Sequence, residues 1–306
     1  MFRKTLSGGL KPASSMEKLT MKKLVLTALF IGANLTANAE NLRYFGQTTD
    51  SYQSQTDYGN NTAKGRYAVS DGTRIYYEVY GQGEPIVVLH GGLVGSVAEM
   101  GQFIDKLSQN RQVIAISTRG HGKSEVGNAI PSYEQKAKDI QAVLQQQNIA
   151  KTDLLGFSDG AYSALMFAKN HPAQTQKIVA IGAGEWKQGF RNLGDGNFEA
   201  FAQLDPAYWQ QQATIRPNPN ATPAWFAGSI QYYNQLNFGE NVFKSIDAKV
   251  LMLVGEDDQN APLDTVISAY KMLPNADLAV IANTPHPAFA VNFEAVWQQI
   301  EPFLNQ

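Results

Sequence analysis

Six short apolar runs, at 86–89, 113–116, 153–157, 178–181, 250–254 and 278–281, recur along the chain, with helix-length stretches between most of them. Each is too short for a helix and lacks the polar alternation of a strand with one wet face, so each reads as a strand buried on both faces. Buried strands of this kind belong to a parallel sheet, whose strands must be joined by crossovers, and the intervening stretches supply them. Residues 132–147 place Ala137, Ile140, Val143 and Leu144 on one helical stripe, and residues 288–304 do the same with Phe293, Val296, Ile300 and Leu304. Two further β-rich runs, 66–70 and 74–80, come first and are joined by Asp71-Gly72, a strong hairpin signal. The expectation is an α/β fold with an eight-stranded, mostly parallel sheet that begins antiparallel and carries helices on both faces.

Residues 185–245 break the alternation. They contain no strand run and are rich in aromatics, among them Trp186, Tyr208, Trp209, Trp225, Phe226 and Tyr233. An aromatic insertion between two core strands is either a helical cap over a site or a packing layer, and a cap is expected. The core then comprises residues 65–184 and 246–306.

The first part of the chain reads as a targeting segment. Met21-Lys22-Lys23 is basic, residues 24–35 are mostly apolar, and Ala37-Asn38-Ala39 matches a cleavage site, so 21–39 reads as a signal peptide and the mature chain starts at Glu40. The apolar stretch is too short for the roughly 20 residues of a spanning helix, which argues against stable membrane insertion. Residues 1–20 lack the signal's pattern and read as an extension upstream of the natural start. Residues 40–64 are polar, without helical or strand period, and read as a mobile leader. The expected location is outside the cytoplasm, periplasmic or secreted.

Composition narrows the chemistry. The chain has 306 residues, of which 43% are hydrophobic, enough for a sizeable core. A formal charge of -2 and no run of like charges give no footprint for nucleic acid. With no cysteine, disulfides, thiolate nucleophiles and iron–sulfur clusters are excluded. Catalysis would use oxygen or nitrogen nucleophiles on a small ligand, with no cofactor or metal required.

Gly156-Phe157-Ser158-Asp159-Gly160 follows the run 153–157 and opens a helical pattern at 161–169, the setting of a nucleophile elbow. Glycines two residues either side of Ser158 leave room for a tight strand-to-helix turn that pushes the serine outward. A helix N-terminus beneath it favours developing negative charge. A serine needs a base, and the chain has four histidines. His90, in His90-Gly91-Gly92, suits a turn whose N–H groups face the nucleophile. His121 lies in a glycine-framed turn and His171 at a helix end, both ordinary structural settings. His286, in Thr284-Pro285-His286-Pro287 after the last strand run, is left in a loop from which a base could reach back. An acid that orients the imidazole should lie between the two in the chain, and Glu256, Asp257 and Asp258 compete for that role.

The spacing of Gly255, Asp258 and Pro262 resembles the G-x-x-D-x-x-x-P segment of the α/β-hydrolase fold superfamily, and by that match Asp258 is the acid. His90-Gly91-Gly92, Arg119-Gly120-His121-Gly122-Lys123-Ser124 and the elbow match the same superfamily, so the resemblance runs from about 66 to 304. It departs at Ser117, where the family usually has an aspartate. Within the superfamily the chain looks most like biphenyl hydrolase-like and small carboxylesterase members. The resemblance implies an oxyanion hole from the backbone N–H groups of Asp159 and Gly92, with Leu93 as the alternate to Gly92.

These readings imply a serine hydrolase that cleaves a small carboxylic ester through an acyl-enzyme. Lactonase, amidase, C–C hydrolase and perhydrolase chemistry share the same residues, and a lyase or a non-catalytic ligand-binding protein could share the fold. The oligomeric state is left open. The Asp159 side chain has two readings: an aspartate favoured at a helix N-terminus, or a carboxylate in the substrate pocket that would pair with the amine of an α-amino acid ester.

Overall fold

The computed structural model describes residues 41–306, so the upstream extension read at 1–20, the signal peptide read at 21–39 and the first leader residue, Glu40, lie outside the described residues. Eight strands form one sheet: β1 Gly65–Ser70, β2 Thr73–Tyr80, β3 Glu84–Leu89, β4 Arg111–Ile116, β5 Thr152–Phe157, β6 Thr175–Ile181, β7 Lys249–Gly255 and β8 Ala276–Ile281. Their spatial order is β1-β2-β4-β3-β5-β6-β7-β8. β1, β2 and β4 pair antiparallel, and every later pairing is parallel. Asp71 (φ 47°) and Gly72 (φ 75°) both take the left-handed conformation of a type I′ hairpin turn, which is why Asp-Gly sits there.

Successive residues of the central strands divide between two apolar cores. Val87, Leu89, Leu154, Ile178, Ala180, Val250 and Met252 enter one, and Ile86, Val88, Leu155, Val179, Ile181, Leu251 and Leu253 the other. The unbroken apolar runs thus follow from burial on both faces, each large side chain contributing about 1.5–3 kcal/mol. Helices α2 Tyr133–Gln146 and α3 Asp159–Asn170 cover the first face, while α1 Gly101–Leu107 and the C-terminal helix cover the second. Ser132 caps α2 by accepting the Gln135 N–H at 3.2 Å.

The insertion holds α4 Phe198–Ala202, α5 Pro206–Ile215, α6 Thr222–Gln235 and α7 Glu240–Phe243, with no named strand. Its base is closed by reciprocal backbone hydrogen bonds between Trp186 and Phe238, at 2.9 and 2.7 Å. Trp225, Phe226 and Ile230 of α6 pack with Leu93 and Val126, which seats the insertion over the ends of β3 and β4. After β7 come α8 Leu263–Met272, α9 Ala288–Val291 and α10 Phe293–Asn305. The helical pattern at 288–304 is therefore two helices. Asn292 (φ -142°) leaves the helical region and accepts the Ala295 N–H at 3.1 Å as the cap of α10.

The leader differs from its expectation of mobility, because residues 41–64 are tied to both the insertion and the core. The Arg43 guanidinium donates to Asp205 at 2.5 Å and the Gly46 N–H to the other oxygen of Asp205 at 2.9 Å. Tyr52 and Tyr58 both donate to Asp105 of α1 at 2.7 Å, and the Gly59 and Asn61 N–H groups donate to Glu78 of β2. An arginine, two tyrosine hydroxyls and three backbone N–H groups make these anchors, a set that leaves no hydrophobic period in the sequence.

Candidate active site

β5 ends at Phe157 and α3 begins at Asp159, leaving Ser158 alone in the turn with φ 50° and ψ -114°. A non-glycine residue held there stores about 1–3 kcal/mol of strain. The turn is held by the Ser158 N–H donating to the Ile181 carbonyl at 2.7 Å and by the Ala161 N–H donating to the Ser158 carbonyl at 2.9 Å. Both flanking glycines are required sterically: a Cβ on Gly156 would lie 2.4 Å from the Gly160 carbonyl carbon, and one on Gly160 2.4 Å from the Leu89 carbonyl oxygen.

Two parallel strands further along the sheet, Gly255 ends β7 and lets the loop after β8 approach, since a Cβ there would lie 2.3 Å from the Thr284 carbonyl. The Asp257 N–H donates to that carbonyl at 3.0 Å, fixing the His286 loop against the acid loop. His286 Nδ1 lies 2.8 Å from Asp258 Oδ2, and His286 Nε2 lies 2.8 Å from Ser158 Oγ. The other oxygen of the buried Asp258 accepts the N–H groups of Asn260 at 2.8 Å and Ala261 at 2.7 Å. Of the three competing acids, Asp258 meets the imidazole. Glu256 accepts the Asn283 N–H at the surface, and Asp257 is exposed. Gly182, not singled out from the sequence, leaves the imidazole its place: a Cβ there would lie 2.9 Å from His286 Cε1.

The loop after β3 faces the elbow. A Cβ on Gly92 would lie 2.9 Å from Asp159 Cβ, so the two backbone positions expected to serve an oxyanion are neighbours. Asp159 opens α3, so its N–H has no intrahelical acceptor. Within the loop the Gly91 N–H donates to Glu99 at 2.5 Å, and the Val94 and Gly95 N–H groups donate to the Gly92 carbonyl. Among the described residues neither the Gly92 nor the Leu93 N–H has an acceptor, so both remain available.

His90 is buried and shapes this loop. Its Nε2 accepts the Thr118 N–H at 3.0 Å, leaving Nδ1–H to donate to the Gly91 carbonyl at 2.7 Å, so the neutral tautomer is fixed. Burial pushes the imidazole down to about 4. His121 stacks edge-on to His90 with ring centroids 4.7 Å apart, and burial holds it well below the usual histidine range. His171 packs on Phe167 at a helix end. Arg119 is structural: it binds Asp139 through two nitrogens, at 2.9 and 2.6 Å, and reaches Thr73 and Ser70 of the first hairpin.

Of the two readings given for the Asp159 side chain, its contacts do not favour the one that pairs it with a substrate amine. Its carboxylate is buried, accepting from Lys136 Nζ at 2.5 Å and from the Tyr233 hydroxyl at 2.6 Å. Lys136 is itself buried and supplies the cation that a substrate amine would have supplied, so the carboxylate is taken up within the chain. Through Tyr233 of α6 it also ties the insertion to the elbow. Glu99 was likewise missed: burial pushes its carboxyl up to about 8, while the N–H groups of Gly91 and Ser96 work against that rise.

The chain is similar to known proteins over most of its length. The model of the alpha/beta hydrolase fold family matches residues 84–214. A 2-hydroxy-6-oxononadienedioate/2-hydroxy-6-oxononatrienedioate hydrolase of Escherichia coli is 33% identical over 288 residues, covering 83% of this chain and 99% of the relative. A non-heme haloperoxidase of Rhodococcus erythropolis is 26% identical over 275 residues, covering 77% of this chain and 97% of that one. Among solved structures, an esterase of Exiguobacterium antarcticum superposes with a TM-score of 0.65 at 24% identity, over 79% of this chain and all (100%) of the other. With an eight-stranded, mostly parallel sheet and an identity of 33% to a hydrolase over most of both chains, the protein belongs to the α/β-hydrolase superfamily.

Proposed function

We propose that the protein is a serine hydrolase that cleaves a small carboxylic ester through an acyl-enzyme. The observation that carries this reading is the hydrogen-bonded line from Asp258 through His286 to Ser158, with both links at 2.8 Å. Ser158 Oγ attacks the ester carbonyl carbon while His286 Nε2 takes its proton. The negative charge that develops on the carbonyl oxygen is met by the N–H groups of Gly92 and Asp159, a donor of this kind being worth about 3 to 4 kcal/mol of barrier. His286 then gives the proton to the leaving alkoxide as the C–O bond breaks. Water attacks the acyl-enzyme with its proton passing to His286, and Ser158 regains that proton as the carboxylic acid departs. Asp258 keeps the imidazole proton on Nδ1, so that Nε2 faces the serine as an acceptor.

A second reading, hydrolysis of a carbon–carbon bond, is favoured by the Escherichia coli relative, whose name gives it a 2-hydroxy-6-oxo-dienedioate substrate. Aryl esters of increasing acyl length, set beside a 2-hydroxy-6-oxo-dienedioate, separate the two. Ester kcat/KM at least about a hundredfold above that for the dienedioate supports the first reading, and the reverse order supports the second. The signal read at 21–39 supports action outside the cytoplasm, which predicts a mature N-terminus at Glu40 in an extracytoplasmic fraction.

A further inference from the structure

Three of the buried arginines in the described chain can be compared directly. Arg111 donates to Asp153 at 2.7 Å and Arg119 to Asp139 at 2.6 Å, each a guanidinium met by a carboxylate. Arg216, at the end of α5, is 7% exposed and has no such partner. Its Nη1 reaches the Thr222 hydroxyl at 3.1 Å, while Nε and Nη2 are buried with no acceptor among the described residues. Burial lowers its pKa, and the nearby Tyr208 works against that fall.

Arg216 is one of a group. Its guanidinium carbon lies 5.4 Å from the ring centre of Trp209 and 5.0 Å from that of Trp225. Among the described residues the indole N–H of each is buried without an acceptor, and Gln212, one helical turn before Arg216, has neither an acceptor for its amide N–H nor a donor to its Oε1. His121, whose ring centre is 4.7 Å from that of Trp225, has an unpartnered Nε2. A guanidinium and two indole N–H groups can only donate. Each buried unpartnered donor costs about 1–3 kcal/mol, more for a charged group, so their gathering around one cation is costly unless something accepts from them.

The group sits beside the proposed reaction centre. Trp225 Nε1 lies over Gly120, where a Cβ would be 2.1 Å from it, and His121 packs on His90, which opens the Gly91-Gly92 loop. Next to Trp209, the Tyr208 hydroxyl donates to the Val94 carbonyl of that same loop at 2.9 Å. The geometry points to a carboxylate-binding subsite built by Arg216, Trp209, Trp225 and Gln212, which receives an anionic group of the substrate on the insertion side of the Gly91–Gly95 loop. This deepens the ester-hydrolase reading and rests on it: the substrate class becomes an ester that carries a second, free carboxylate.

The test compares monomethyl succinate, glutarate and adipate with the neutral methyl esters that end in methyl instead of carboxylate. Binding is measured by calorimetry on Ser158→Ala, and kcat/KM on the wild-type chain by pH-stat. At one chain length the acid ester should bind at least about tenfold more tightly than its neutral analogue, the increment of a charge-assisted hydrogen-bond set. Arg216→Met in each background should remove that preference, while its Tm stays at or above wild type because an unpartnered buried charge has gone. Should Arg216→Met fail to fold, Trp225→Phe removes one donor and should reduce the same ratio. A preference absent at every length, or unchanged in these variants, would overturn the subsite. Selective binding without turnover of either ester would retain the subsite and sink the ester reading, whereas equal turnover of both does the opposite.

Discussion

Asp258→Asn probes the proposed machinery at its most buried point. One carboxylate oxygen accepts the N–H groups of Asn260 and Ala261, and the other accepts from His286 Nδ1. In the asparagine variant only the carbonyl oxygen can serve the two backbone donors, so the amide NH2 is directed at the imidazole. Nδ1 must then accept, its proton moves to Nε2, and Nε2 becomes a donor to Ser158 Oγ instead of the acceptor that catalysis needs. A wrong tautomer of this kind lowers kcat by about 10⁴, or about 5.5 kcal/mol of barrier. The side chain is nearly isosteric and keeps both backbone hydrogen bonds, so the fold should survive. Initial rates on an aryl acetate, with Glu256→Gln and Asp257→Asn as neighbours, provide the measurement. Those two should stay within about threefold of wild type, as exposed groups outside the hydrogen-bonded line do. A loss under tenfold at Asp258, or a larger one at Asp257, would refute the tautomer argument.

Ser158→Gly should abolish turnover yet raise stability by about 1 kcal/mol, because glycine accepts the positive φ at position 158 without strain; calorimetric Tm values for wild type, Ser158→Ala and Ser158→Gly check it. His90 should set an acid limit on stability. Its pKa falls from 6.5 unfolded to about 4 folded, so its contribution is complete above pH 6.5 and up to about 3 kcal/mol is lost as pH falls to 4, with His121 acting in the same direction. Glu99 acts oppositely: its folded pKa near 8 means stability is lost as pH rises from 4.5 to 8, and Glu99→Gln should flatten that limb of a Tm against pH curve. Asp205→Ala removes the cap of α5 along with both leader contacts, so it should cost about 1–2 kcal/mol and speed proteolysis within 41–64.

The centres of the inner strands were legible because burial on both faces writes itself as unbroken apolar residues, whereas the apolar run of β8 leaves Val280 exposed. Their starts were not, since Thr152, Thr175 and Lys249 pair in the sheet through backbone groups whatever their side chains. The break at Asn292 was hidden by an apolar stripe that continues through it, because α9 and α10 dock on the same core. The leader was misread for a different reason. Arg43, Gly46, Gly59 and Asn61 are held by carboxylates far away in the chain, and no local period records such partners. Ser158 and His286 could be picked out since each follows a strand close to glycine or proline, where a backbone constraint shows as a residue type, whereas Asp258 was told from Glu256 and Asp257 only by the family resemblance of the Gly255, Asp258 and Pro262 spacing. Lys136, Asp159 and Tyr233 come from a core helix, the elbow and the insertion, so their ion pair exists only once the chain has folded. A lysine next to the apolar stripe of α2 was the one available hint.

The central claim is that Ser158 is a nucleophile activated by His286, and covalent labelling addresses it most directly. Folded protein is treated briefly with a fluorophosphonate, then digested and mapped by mass spectrometry. One adduct per chain on the peptide containing Ser158 is predicted, absent from Ser158→Ala and strongly slowed in Asp258→Asn. No adduct on Ser158 in folded, monodisperse protein would contradict the claim and would fit a non-catalytic ligand-binding member of the same fold.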